Sequence, residues 1–226
     1  KGKATDKTYA KTAGGYFRDK AYDNRPWVKY ADGTLTFRCG YKKTLGENEY
    51  ELNSGKNLPE WVKKHIFGIT KVVFDTSFAN ARPTSCYKWF WAFNNLAQIE
   101  GIEYLNTEKV TNMDWMFSGY SNLPSLDLSN FNTQNVEFML SMFKGCSSLT
   151  TIYASDKFVI TEHSYGIAMF SGCTLLKGVI AYGEDKTDHT YANYKTGYFS
   201  KLVGKNGNEK IGASGETLTA ASLALD

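Results

Sequence analysis

No stretch of this sequence approaches the ~18 consecutive apolar residues of a membrane span, so no transmembrane helix is expected. An excess of one charge is missing too. The chain has 26 Lys and Arg against 23 Asp and Glu, a formal net charge of +3. The basic pairs Lys42-Lys43 and Lys63-Lys64 stand apart and form no stripe, which argues against a nucleic-acid partner. Cysteine is scarce: Cys39, Cys86, Cys146 and Cys173 include no C-x-x-C pair, so neither a zinc finger nor a disulfide-held scaffold is expected. Histidine is scarcer. His65, His163 and His189 fall in three separate segments, without H-E-x-x-H or G-x-S-x-G. Catalysis needs an acid, base or nucleophile beside an oriented partner, so no enzyme and no catalytic residue are expected. Glu184-Asp185 with Asp188 and His189 is the one acidic cluster that suggests a cation. It lacks the D-x-D-x-D-G ligand rhythm and reads as a solvated turn. No metal and no cofactor are expected. The N-terminus, Lys1 to Asp6, has no apolar run after its lysines. A signal peptide is therefore not expected in it, either because one was removed or because the chain is an excised piece.

Apolar material is ample, with 42% hydrophobic and 15% aromatic residues. It is arranged in a repeat. Asn106 to Leu123 aligns with Asn132 to Leu149 at an offset of 132 − 106 = 26, matching Asn, Thr, Val, Met, Met, Phe, Gly, Ser and Leu. A third copy survives at Met169 to Leu176, and a degenerate one at Trp89 to Leu96. Such self-similarity is read before any local pattern, because it decides the fold. Val110, Met113, Met116 and Phe117 fall at i, i+3, i+6 and i+7, and Val136, Met139, Met142 and Phe143 repeat them. That spacing predicts one face of a helix, with Gly119, Gly145 and Gly172 as C-terminal stops. After each glycine an alternating run predicts a strand: Leu96-x-x-Ile99-x-Gly101, Leu123-x-x-Leu126-x-Leu128, Leu149-x-x-Ile152-x-Ala154 and Leu176-x-x-Val179-x-Ala181.

The expected fold is therefore α/β: a short leucine-rich-repeat solenoid of helix-strand units with a parallel strand stack, over residues 69–182. Pro59 to Ile66 predicts a short helix ahead of it, and Asp32-Gly33 predicts a β-hairpin within a cap over 21–68. Thr5-Asp6-x-Thr8-Tyr9-Ala10 with Gly15-Tyr16-Phe17 recurs as Thr187-Asp188-x-Thr190-Tyr191-Ala192 with Gly197-Tyr198-Phe199, an offset of 187 − 5 = 182. This reads as a closing peptide over 183–200, with 1–20 the closing peptide of a preceding module in a tandem array or an N-terminal extension. Residues 201–226 are polar and Gly-rich and read as a linker. Cys146 and Cys173 share a repeat position, which leaves stacked free thiols and a disulfide both open.

Val110 to Thr133, reading Val-Thr-Asn-Met-x-x-Met-Phe-x-Gly-x-Ser-x-Leu-x-x-Leu-Asp-Leu-Ser-Asn-Phe-Asn-Thr, resembles the repeat of BspA-type leucine-rich-repeat surface proteins of gut and oral bacteria. The resemblance spans roughly residues 60 to 182. It implies a secreted or lipid-anchored protein at the outer cell surface, with adhesion or host-protein binding as its role. Trp89-Phe90-Trp91 and Leu175-Leu176-Lys177 depart from the pattern, and the family offers no residue-level functional motif to transfer.

Within a strand such as Ser125 to Ser129, alternate residues face out. The predicted concave row is Gln98, Glu100, Ser125, Asp127, Ser129, Thr151, Tyr153, Ser155, Ile180 and Tyr182, mixed acidic and aromatic. Trp91 and Trp115, one position off the Met-Phe pairs, are candidate aromatic contacts. The expected function is recognition or adhesion, with a protein or glycan bound on the concave row of a monomeric module. A structural spacer in a tandem array is the alternative, and a hydrolase near His163 or His189 ranks well below both.

Overall fold

Asp32 and Gly33 both adopt left-handed backbone angles, with φ of 47° and 76°, as a two-residue hairpin turn of the primed type demands. They join β1 (Arg25–Ala31) to β2 (Thr34–Gly40) in antiparallel register, Ala31 opposite Thr34 and Arg25 opposite Gly40. The structure is a computed structural model that describes residues 24–206, 209–212 and 217–218, with side chains as far as Lys201. The segment 1–20 read as a preceding module's closing peptide lies outside the described residues, as does the greater part of 201–226.

The hairpin belongs to a five-stranded mixed sheet. β3 (Glu49–Glu51) lies antiparallel to β1, while β4 (Lys71–Phe74) and β5 (Gln98–Glu100) continue in parallel beyond β2. Among the described residues the one α-helix is α1 (Glu60–His65), which begins after Pro59 and buries Trp61 and Val62. The Trp61 indole N–H donates to the Trp89 carbonyl at 2.8 Å, fixing α1 against the first rung of the repeat. A second five-stranded sheet places β6 (Ser125–Leu128), β7 (Thr151–Ala154) and β8 (Phe199–Asn206) in parallel, then β9 (Glu209–Gly212) and β10 (Thr217–Leu218) antiparallel. β5 and β6 belong to different sheets. Just beyond them Asn130 Nδ2 donates to the carbonyls of Ile102 (3.1 Å) and Leu105 (2.9 Å).

These sheets correct the expected fold. The chain is not a helix-strand leucine-rich-repeat solenoid, and the segments expected to be helices are successions of turns. Met116 N–H bonds the Met113 carbonyl at 3.2 Å within a rung, but Met113, Trp115 and Phe117 donate outward, to the carbonyls of Phe138, Leu140 and Met142 at 2.7, 2.9 and 2.9 Å. Lys88, Trp115, Ser141 and Ala168 share one position in successive rungs and hold φ of 55°, 60°, 52° and 53°, which no α-helix accommodates. A left-handed non-glycine residue costs about 1–2 kcal/mol, offset here by hydrogen bonds to the next rung. The Val, Met and Phe residues are all buried as the periodicity requires. Three-residue turns and a helix bury the same positions at i and i+3, so apolar spacing does not distinguish them. Gly119, Gly145 and Gly172 are therefore not helix caps. They form a left-handed column with φ of 88°, 76° and 81°. A Cβ on Gly172 would lie 3.4 Å from Gly145 Cα.

The last repeat copy is also corrected. Its strand does not form: Val179, expected inside, is 61% exposed. Val179 N–H instead bonds the Gly197 carbonyl at 3.0 Å. The place beside β7 is taken by β8, with Phe199 opposite Ile152. Phe199 is 1% exposed and meets the rings of Phe143, Phe158 and Phe170 edge-on, at 6.4, 5.0 and 6.0 Å. A phenylalanine buries more apolar surface there than valine does, and each fully buried large side chain contributes roughly 1.5–3 kcal/mol. Phe90, Phe117, Phe143 and Phe170 run as a column through the core, with successive ring centroids 5.6, 5.7 and 5.5 Å apart.

Candidate interaction surface

The strand row expected to bind a ligand is divided between the two sheets. Gln98 and Glu100 lie on β5, where Gln98 Nε2 donates to Glu100 Oε1 at 2.7 Å and Lys71 pairs with Glu100 at 2.8 Å. Ser125 faces Thr151, and Asp127 faces Tyr153, between β6 and β7. Several of these groups serve the fold. Asp127 Oδ1 accepts the Ser129 N–H at 3.0 Å, and Ser155 Oγ donates to the Ser129 carbonyl at 2.6 Å. Tyr153 is 7% exposed. Ile180 and Tyr182 are not on a strand. Ile180 is half-buried, and the Tyr182 hydroxyl accepts the Gly172 N–H at 3.1 Å while its ring stacks on Tyr198 at 6.4 Å. Several polar groups of the strand row are thus engaged by neighbouring side chains or by the backbone.

A different surface gathers exposed apolar groups. The turns occupy four aligned segments, 85–92, 112–119, 138–145 and 165–172, linked by parallel bridges through Ser85, Asn112, Phe138 and Tyr165. In the third and fourth segments the inward residue, Met139 or Gly166, is flanked by Phe138 and Leu140 or by Tyr165 and Ile167. Extended backbone sends those flanking side chains to the other side. Phe138 and Leu140 are half-buried, Tyr165 is 48% exposed and Ile167 53% exposed. Trp91 and Trp115, the two candidate contacts, are half-buried beside them.

Lysines edge this face. Lys88 Nζ sits 4.2 Å from the Trp91 ring centroid, 5.4 Å from Tyr87 and 5.7 Å from Trp115. Lys144 Nζ is 5.6 Å from Trp115, and Lys56 Nζ is 4.5 Å from Phe138. An ammonium within about 6 Å of an aromatic face gains roughly 0.5–1 kcal/mol at an exposed site. Those contacts favour lysine rotamers that lie over the rings. The four segments contain a single carboxylate, Asp114. Its side chain is 3% exposed and accepts from Leu140 N–H at 2.7 Å and Lys56 Nζ at 3.4 Å.

The reactive side chains are dispersed. His163 is exposed beside Glu162, 3.5 Å away, and lines an open hollow with Lys109, Thr111 and Glu137. His189 N–H bonds the Gly166 carbonyl at 3.0 Å, and its Nδ1 is buried without a hydrogen-bond partner among the described residues. His65 lies in the first half, stacked on Tyr30 at 3.8 Å with its Nε2 2.6 Å from the Tyr50 hydroxyl. Burial, and then the neighbouring Lys64 charge, lower its pKa. The cysteines are free and buried. The Cys146 and Cys173 thiols donate to the carbonyls of Phe117 and Phe143, at 3.1 and 3.0 Å. Hydrogen bonding with Cys146, followed by burial, pushes the Cys173 thiol far up, so it stays protonated and weakly nucleophilic. Among the described residues no group of three His, Cys, Asp or Glu side chains is placed to hold a metal ion, and no helix is long and apolar enough to cross a membrane.

Sequence reasoning passed over Phe138 and Leu140 because they fell between the predicted helical contacts Val136, Met139 and Met142, and over Tyr165 and Ile167 because they precede Met169, where the third recognised copy begins. Their signal was present as an apolar residue on each side of an inward one, at the same repeat position in two copies. The segment 84–192, just under half of the chain, matches a family described as Mycoplasma protein of unknown function, DUF285. That match is only loosely consistent with the BspA-type resemblance. No curated protein and no solved structure matches the chain.

Proposed function

We propose that this chain is a recognition module of the outer cell surface, binding a macromolecular ligand through the apolar turn face and performing no chemistry of its own. The observation that carries the reading is the exposure of Tyr165 and Ile167, 48% and 53%, beside half-buried Phe138, Leu140 and Trp115 on hydrogen-bonded rungs. Contiguous apolar surface edged by charge is characteristic of interaction sites. Rungs tied together by backbone hydrogen bonds hold it rigid, so little ordering entropy is lost on binding. The extracellular setting is supported by the resemblance of Val110 to Thr133 to BspA-type repeats.

Binding of the purified chain to immobilised matrix proteins and mucin glycans tests the proposal. Tyr165→Ser with Ile167→Ser should abolish binding, whereas Gln98→Ala with Glu100→Ala on the strand row should leave it intact. Binding that survives the first pair would refute the assignment of the turn face. Binding to no immobilised ligand would favour a structural spacer.

A further inference from the structure

We infer that the turn face takes an acidic protein segment in which carboxylates are interspersed with large apolar side chains. This inference rests on the recognition reading above and names its partner class. Three features of the face set that chemistry. The outward charge of its four segments is basic: Lys88 and Lys144 stand over its aromatic rings, and the segments' single carboxylate, Asp114, is buried and paired with Lys56, while exposed Glu137 lies just outside them, before Phe138. A partner bringing carboxylates gains attraction to Lys88 and Lys144 without meeting an exposed acid on these four segments, whereas a basic partner meets like charge. Its centre is aliphatic as well as aromatic, with Leu140 and Ile167 on successive rungs. Branched aliphatic side chains complement apolar side chains of another protein. A sugar ring gains most on a flat aromatic face, and Lys88 already stands over the Trp91 indole, 4.2 Å from its centroid. Finally, the cations are positioned in advance. Cation–π contact biases the Lys88 and Lys144 ammonium groups toward these positions while leaving N–H donors for a carboxylate, so less side-chain freedom is lost on binding.

The partner's carboxylates would meet Lys88 and Lys144, while its apolar side chains cover Leu140, Tyr165 and Ile167. A heparin-class sulfated glycan satisfies only the charge, and a second copy of the chain only the apolar part.

A phage-displayed library of random peptides of about twelve residues, selected on the immobilised chain, reads out the preference directly. Enrichment of net-negative peptides carrying Leu, Ile, Phe or Trp is expected. The selected peptides, made synthetically and labelled, should bind at least tenfold more weakly to Lys88→Glu/Lys144→Glu and to Tyr165→Ser/Ile167→Ser, each checked for an unchanged melting temperature. Binding to the wild-type chain should weaken as salt is raised, and the lysine variant should lose that dependence. Enrichment of neutral or basic peptides overturns the inference. So does binding of a heparin oligosaccharide to the same face with no peptide enriched. Dimerisation in sedimentation velocity that Ile167→Ser abolishes points to a second copy and overturns it as well. In the last two cases the face still binds, so the recognition reading stands while the partner class falls. Failure of peptides, glycans and self-association together removes both.

Discussion

Replacing Phe143 by leucine takes one ring out of the column that runs between the rungs. Phe143 lies parallel to Phe117 (5.7 Å, 6°) and Phe170 (5.5 Å, 10°), and Phe199 meets it edge-on (6.4 Å, 89°). Each aromatic pair contributes about 0.5–1.5 kcal/mol beyond the area it buries. Leucine keeps most of the apolar burial but none of the three pairs, which places the loss at about 3 kcal/mol. A chain of this size loses about 2–4 °C per kcal/mol, so the melting temperature should fall by about 9 °C. Calorimetry measures the fall, and urea titration should show a lower midpoint at unchanged slope. Phe117→Leu with Phe143→Leu should depart from additivity by about 1 kcal/mol, since the two share one stacked pair. Phe67→Leu is the control: Phe67 is 80% exposed, and its replacement should cost less than about 0.5 kcal/mol. A Phe143 loss no larger than the control's, or strict additivity with Phe117, would refute stacking across rungs.

Two further predictions concern the first half. Gly101 holds φ of 68°, and a Cβ there would lie 2.2 Å from the Phe74 carbonyl oxygen, so Gly101→Ala should cost about 3 kcal/mol or more. Gly55→Ala, also left-handed at φ 54° but facing open space, should cost about 1 kcal/mol. Equal melting temperatures for the two variants would contradict the close approach between β4 and the end of β5. Burial lowers the His65 pKa, so below about pH 6.5 the unfolded chain binds a proton that the folded chain refuses. Stability should fall as pH drops through that region and level off, for this group, below the folded pKa. Urea midpoints measured from pH 7.5 to 5.5 should show the slope, and His65→Gln should flatten it.

What could be read from the sequence followed from which forces leave a periodic trace. Burial does: Val110, Met113, Met116 and Phe117 are all inside, and Asp32-Gly33 makes its turn because few residues accept that backbone. The route of the hydrogen bonds does not. Whether Trp115 N–H reaches back along its own segment or across to Leu140 depends on a neighbouring rung, and the same apolar spacing serves both. The replacement of Val179 by Phe199 was equally hidden, being a competition between two distant segments for one place beside Ile152. The strand row was legible as alternation, but not its division between β5 and β6, where the second sheet begins. The turn face was missed for a related reason: once a helix was assumed, apolar residues beside Met139 had no reason to be exposed.

Because β8 takes the place beside β7 and then turns back into β9 and β10, the parallel ladder has a terminus written in antiparallel strands. A further copy of the repeat placed after Leu176 would find its site occupied. Length can change only in the middle, by gain or loss of a whole rung between Asn106 and Leu149. Each such event would widen or narrow the lysine-edged face by one row and leave both ends of the molecule as they are. The closing segment therefore acts as a fixed stop against which the width of the turn face is set.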